Sequence, residues 1–124
     1  MNTGRHLWVV GTFDTKATEL NYLAELIRAA GVPALTVDIS TREHAAAADV
    51  PAAEVAAHPP RGAGHVLGSG DRGRSVIAMG EALCRLVSAA HDQGALSGLL
   101  GIGGSGGTSM IAPALHQLPY GMPK

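Results

Sequence analysis

The stretch LSGLLGIGGSGGTSMIAPALH, residues 96–116, decides the fold, because an apolar run, a glycine-rich turn and a helical segment follow one another in it. We predict a buried strand over 96–102 and a helix over 108–118, with Pro113 in the first turn or bending the axis. Glycine tolerates positive φ and lets backbone N–H groups approach an anion closely. Beside a helix N-terminus, such a turn is typical of a phosphate cradle, and a tight turn that packs helix on sheet is the alternative.

Two more apolar runs, at 7–10 and 33–39, end in turn residues and predict a first and a second buried strand. Between them, apolar residues recur at helical spacing over 15–30, with Asp14 as the N-cap and Gly31 as the stop. A strand, a helix and a strand in this order form a right-handed crossover, so the sheet is predicted to be parallel.

A second long helix is predicted over 73–93, where apolar residues form one stripe. Residues 40–73 show no persistent period, and we interpret them as a covering flap in which VPAAEVAAH, 50–58, forms a short helix. The last residues, LPYGMPK, 118–124, are typical of a turn that leads into another strand. We therefore expect a truncated domain.

The alternation of strands and helices predicts an α/β fold, a three-layer sandwich around a Rossmann-like parallel sheet with the strand order second, first, third. Residues 1–124 form one subdomain in this interpretation. Both the first strand and the third then end at the point where the winding reverses. The loops GTFDTK, 11–16, and GGSGGTS, 103–109, meet at that point.

Composition narrows the class of protein. With 124 residues, 46% of them hydrophobic and 15% charged, the chain suits one globular domain. A net charge of −1 and 3% aromatic residues give no basic, stacking surface for nucleic acid. Cys84 is the only cysteine, which excludes an internal disulfide, and no apolar run is long enough for a signal peptide or a membrane span. We expect a cytoplasmic protein.

The glycine loop fits two phosphate motifs imperfectly. GxGxxG occurs at 101–106 and again at 68–73, and only the first match follows a predicted strand and precedes a helix. The P-loop pattern fails because Gly107 occupies the place of its lysine. Lys16 could supply that charge from the other loop, with Asp14 or Thr108 beside a bound Mg²⁺.

The same loop also matches GxSxG, which presents a nucleophilic serine in α/β-hydrolases, here Ser105. No acidic residue follows Ser105, and His116 is the one later histidine, so the triad cannot be completed in that order. A hydrolase that uses Ser105 or Asp14 remains an alternative, as does a non-catalytic unit for oligomerisation or partner binding at an exposed sheet edge. Whether the protein is an enzyme stays open.

Further candidates lie beside the two loops. Asp38, at the end of the second strand, either accepts hydrogen bonds from ribose hydroxyls or caps the following turn. Arg72 could reach a phosphate, and Asp71 is expected to cap the long helix. The six histidines show no metal-ligand spacing, so no metal site is predicted.

Three segments together, VVGTFDTKATEL at 9–20, SGDRGRSVIAMGEAL at 69–83 and GIGGSGGTSMIAPAL at 101–115, are spaced as in one family. The chain resembles the N-terminal ATP-binding domain of the tomato mosaic virus resistance protein family and its microbial relatives, whose function is uncharacterised. The resemblance implies two α/β subdomains, of which this chain is the first, together with ATP binding and self-association. No reaction is implied.

The resemblance and the residue patterns together give one set of candidate nucleotide-binding residues. The family loops correspond to Gly11, Thr12, Asp14, Thr15 and Lys16, and to Gly103, Gly104, Ser105, Gly106, Gly107, Thr108 and Ser109, with Asp38 and Arg72 added from their positions in the predicted fold.

Overall fold

A computed structural model describes residues 4–58 and 71–124 of the chain. In chain order, the elements of these ranges are β1 (His6–Gly11), α1 (Phe13–Ala29), β2 (Ala34–Asp38), α2 (Ala52–Ala56), α3 (Arg72–Asp92), β3 (Leu96–Ile102) and α4 (Ser105–His116). Residues 68–70 of the second GxGxxG match and residues 59–70 of the predicted flap lie outside the described residues.

The three strands form one parallel sheet in the order β2-β1-β3, which confirms the predicted topology. Gly11, the last residue of β1, is paired with Asp38 of β2 and with Ile102 of β3. All three strands therefore end at one edge of the sheet. In an open α/β sheet this edge, where the winding reverses, is where ligands bind.

The core lies on both faces of the sheet, because successive side chains of a strand point to opposite sides. Trp8 and Val10 of β1 pack in a cluster with α2, α3 and α4. Val9, between them, packs with Phe13 and Leu20 of α1 on the other face. The described residues thus form the expected three layers. Burying a leucine such as Leu20 contributes about 1.5–3 kcal/mol.

Helix α1 begins before its predicted start. Its N-cap is Thr12, not Asp14, and the Thr12 side chain accepts no hydrogen bond from the backbone N–H groups of the helix. The first amides bond instead to the last residue of β2 and to the turn after it: Phe13 N–H donates to Asp38 Oδ1 (3.1 Å), and Asp14 N–H donates to Ser40 Oγ (3.0 Å). A non-helical residue inside α1, Lys16, separates this first turn from the rest of the helix.

Helix α4 also begins earlier than predicted, at Ser105, with Gly104 as its N-cap. Two loop glycines, Gly106 and Gly107, therefore belong to its first turn. The placement of Pro113 in the first turn is wrong, because Pro113 lies in the interior of the longer helix and cannot donate a backbone hydrogen bond there.

The segment between β2 and α2 is tied to the outer edge of β2. Val50 forms an isolated parallel bridge with Val37. The Asp49 carboxylate accepts from Thr36 N–H (2.9 Å) and from Arg28 (3.0 Å). At the other edge of the sheet, Leu99 N–H donates to Pro123 O (3.0 Å). No helix within 4–58 or 71–124 is long and apolar enough to cross a membrane.

Candidate functional site

A cavity of about 370 Å³ opens at the edge of the sheet where the strands end. It is bounded by the start of α1, by the turn after β2 and by the start of α4, with one residue from α3. The lining residues are Thr12, Asp14, Thr15, Lys16, Thr41, Arg42, Val76, Gly104, Ser105, Gly106, Gly107 and Met110. We call this space the loop cavity.

Three backbone amides at the start of α4 belong to residues that line the loop cavity. The first helical bond of α4 runs from Thr108 N–H to Gly104 O (2.9 Å). The N–H groups of Ser105, Gly106 and Gly107 precede that bond and have no acceptor among the described residues. Helix N-termini carry partial positive charge, so these amides favour an anion.

The N-terminus of α1 lies at the same cavity, but its first two amides already have hydrogen-bond acceptors within the protein. Asp38 and Ser40 accept the hydrogen bonds of its first two amides. The two helix starts are therefore unequal, and only that of α4 keeps donors for a ligand.

The glycines of the second loop have two different roles. None of them has positive φ, so this loop does not use the left-handed conformation that glycine tolerates; among the described residues, the positive-φ glycines are Gly31, Gly94 and Gly121. Gly103 is required by packing, because a Cβ there would lie 2.8 Å from the backbone of Gly107 and Thr108. A Cβ on Gly104 or Gly106 would meet nothing within 4 Å. Packing explains the first glycine and leaves the other two unexplained.

Two cationic side chains line the loop cavity, Lys16 from α1 and Arg42 from the turn after β2. Neither has an ion-pair or hydrogen-bond partner in the described part of the chain. Asp14 is the one carboxylate among the described lining residues. Two cations, three amide donors and one carboxylate make the cavity suited to an anionic ligand.

Comparison with known proteins identifies the family. A family model described as "Uncharacterised protein family (UPF0261) N-terminal domain" matches residues 5–124. The chain belongs to this family. The UPF0261 protein of Rhizobium meliloti is 45% identical over 120 residues, which are 97% of this chain and 29% of the relative.

The chain is also similar to two plant proteins. The ToMV susceptible protein tm-1(GCR26) of Solanum lycopersicum is 36% identical over 134 aligned positions, which cover 95% of this chain and 18% of the relative. The ToMV resistance protein Tm-1(GCR237) from the same plant is 34% identical over 134 positions, with the same coverage. The resemblance read from the three segments is thereby confirmed. The UPF0261 chain spans less than a third of the length of these relatives.

The UPF0261 structure brings part of the predicted site together. From the first loop, Thr12, Asp14, Thr15 and Lys16 line the cavity, and from the second loop Gly104, Ser105, Gly106 and Gly107 do so. Gly11 does not: it is buried at the end of β1, where a Cβ would lie 2.7 Å from Leu20. It thus lets α1 pack closely on the sheet.

Two other candidates in the second loop, Thr108 and Ser109, bond through their hydroxyls to backbone carbonyls of the same loop. The Thr108 hydroxyl donates to Gly103 O (3.3 Å), and the Ser109 hydroxyl donates to Gly106 O (2.8 Å). Neither residue lines the loop cavity. The side chain of Arg72 is not among those that the structure describes, so its contact with a phosphate stays a prediction. Asp71 accepts from Arg74 N–H (3.2 Å), which confirms it as the cap of α3.

Asp38 is buried, with 3% of its surface exposed, and does not line the loop cavity. Both of its carboxylate oxygens accept hydrogen bonds from the protein. Of the two interpretations of this residue, the capping role after β2 is the one that the geometry supports, because Ser40 N–H donates to Asp38 Oδ1 (2.8 Å).

Four lining residues were not predicted, namely Thr41, Arg42, Val76 and Met110. For Thr41 and Arg42 the sequence does carry a signal, since they follow directly after the end of a parallel strand. Val76 and Met110 are apolar residues of α3 and α4 and form the apolar wall of the cavity. Their helical spacing indicates core packing, and Met110 is indeed buried.

The hydrolase alternative gains no support from the described geometry. Ser105 is exposed at the start of α4, and its hydroxyl has no hydrogen-bond partner in 4–58 or 71–124. A nucleophilic serine needs a base within hydrogen-bond reach. Within the same ranges, no three residues of the metal-ligating types form a cluster. Catalysis by Ser105 therefore stays a prediction.

Proposed function

We propose that this UPF0261 domain binds ATP in the loop cavity, with its phosphates at the start of α4. One observation carries the proposal: three amides and two cationic side chains line the same space, and none of them has a hydrogen-bond or ion-pair partner among the described residues. Hydrogen bonds to charged groups contribute about 1.5–3 kcal/mol each, so this arrangement favours a polyanion over a neutral ligand.

The phosphates are assigned to the amides of Ser105, Gly106 and Gly107, and Lys16 and Arg42 line the same cavity. Because Gly104 and Gly106 have open space where a Cβ would stand, the backbone of α4 can be approached closely there. This accounts for the two glycines that packing does not explain.

The remaining lining fits the other parts of a nucleotide. Val76 and Met110 offer an apolar surface for a base, and Asp14 is a carboxylate suited to a Mg²⁺ that the phosphates also coordinate. The Thr12 and Thr15 hydroxyls, 2.8 Å apart, add polar groups beside Asp14. ATP is preferred to other polyanions because of the family resemblance, and no reaction is proposed.

Isothermal titration tests this function with ATP, ADP and inorganic triphosphate, each with and without Mg²⁺. We expect heat on adding ATP and triphosphate, and an affinity about tenfold weaker for Lys16→Ala. Lys124→Ala is the matched control, because Lys124 bonds to Pro119 O at the far end of the chain. No heat with any of the three anions, or equal losses in both variants, would refute the proposal.

Self-association and a cytoplasmic location stay predictions. An exposed leucine on the edge strand β3, Leu100, has 37% of its surface accessible and is compatible with a neighbouring chain. Light scattering over a dilution series measures the oligomeric state directly, and a monomer at all concentrations would refute self-association.

A further inference from the structure

A buried cluster of hydrogen bonds connects the two segments that carry the side chains of the loop cavity. Asp38 Oδ1 accepts from Phe13 N–H (3.1 Å) and lies 2.6 Å from Ser40 Oγ. Ser40 Oγ in turn accepts from Asp14 N–H (3.0 Å). Through these contacts, the end of β2 fixes the start of α1, which contributes Asp14 and Lys16 to the cavity.

The other carboxylate oxygen of Asp38 fixes the second segment. Asp38 Oδ2 lies 2.7 Å from His44 Nε2, and His44 Nδ1 accepts from Ala46 N–H (3.1 Å). Because Nδ1 accepts a hydrogen bond, the ring proton is on Nε2, and Nε2–H donates a hydrogen bond to Asp38. His44 is partly buried, with 16% of its side chain exposed.

The turn between these anchors carries Thr41 and Arg42 to the loop cavity. Ser40, before them, is bonded to Asp38 through both its N–H and its hydroxyl. His44, two residues after Arg42, is bonded to the same carboxylate. Arg42 itself is exposed, so its direction depends on the backbone that holds it.

From this geometry we infer that Asp38 and His44 are positioning residues of the anion site, and that His44 acts on the ligand through Arg42. The inference rests on the proposed function and deepens it. The Asp38 side chain bonds to both cavity-lining segments: Oδ1 contacts the start of α1 and Ser40, and Oδ2 contacts His44.

A double-mutant cycle tests the inference, with inorganic triphosphate as the probe and titration calorimetry as the measurement. We expect Arg42→Ala to weaken binding about tenfold and His44→Ala to weaken it severalfold. The double variant is expected to bind as Arg42→Ala alone does. His44→Gln, which keeps an N–H donor toward Asp38, is expected to restore most of the affinity.

Two further variants sharpen this test. His116→Ala, at the exposed end of α4, is the control and is expected to bind normally. Ala46→Pro removes the N–H that holds Nδ1, so it repeats the cycle should His44→Ala not fold.

The outcomes separate the inference from the proposed function. Losses that add in the double variant, or His44 variants that bind like the unsubstituted chain, would overturn the inference and leave the anion site standing. A chain that does not bind triphosphate at all would overturn both. A coupled loss with rescue by glutamine supports the inference, since a merely structural effect of His44 would persist without Arg42.

Discussion

Replacing Gly106 by alanine should raise stability and weaken ligand binding at the same time. Gly106 lies in the first turn of α4 with no positive φ, and a Cβ there meets no atom within 4 Å. Alanine at such a position stabilises a protein by about 0.4–1 kcal/mol. For a chain of this size, that raises the melting temperature by roughly 2–5 °C. We expect the same methyl group to hinder the approach of a phosphate to the amides at the start of α4.

Loss of one hydrogen bond to a charged phosphate costs about 1.5–3 kcal/mol, which is roughly a tenfold to hundredfold loss of affinity. Thermal unfolding and calorimetry with ATP measure the two effects on one sample. The control is Gly103→Ala, where overpacking against the backbone of Gly107 is expected to cost about 1–3 kcal/mol of stability. A Gly106→Ala protein that binds ATP normally would refute the assignment of phosphate to this turn.

Three further predictions concern charge and capping. Lys16→Ala and Arg42→Ala should each make ATP binding less sensitive to salt, measured by titration from low to high ionic strength. Burial and then the Glu81 charge raise the pKa of the Cys84 thiol, so its alkylation by iodoacetamide should be slow at neutral pH, accelerate as pH rises, and be faster in Glu81→Gln. Asp71→Ala should cost about 1 kcal/mol in urea unfolding, through loss of the α3 cap.

The sheet could be predicted from the sequence because each strand is a continuous apolar run that ends in turn residues. The bounds of β3, 96–102, agree with the structure for this reason. The start of α1 could not be predicted, because its first amides bond to Asp38 and Ser40, which lie 25 and 26 residues further along the chain. Local capping rules do not include such partners.

The candidate site was predictable where glycine and threonine mark a loop after a strand. Thr41 and Arg42 were missed although they follow a predicted parallel strand, because the turn that brings them to the cavity is closed by the contact of His44 with Asp38. A contact between two side chains at the ends of one turn produces no periodic pattern in the sequence from which it could be predicted. The capping role of Asp38 became clear only from its hydrogen bonds, since both interpretations fit its position after β2.

Chemical-shift mapping of the backbone amides tests the central claim most directly. On titration of the ¹⁵N-labelled chain with inorganic triphosphate, we predict that the amide resonances of Ser105, Gly106 and Gly107 shift most, because these N–H groups lack acceptors in the described structure. The amides of Phe13 and Asp14, already bonded to side chains, should move less. Saturable shifts confined to another surface, or no shifts at all, would contradict the claim.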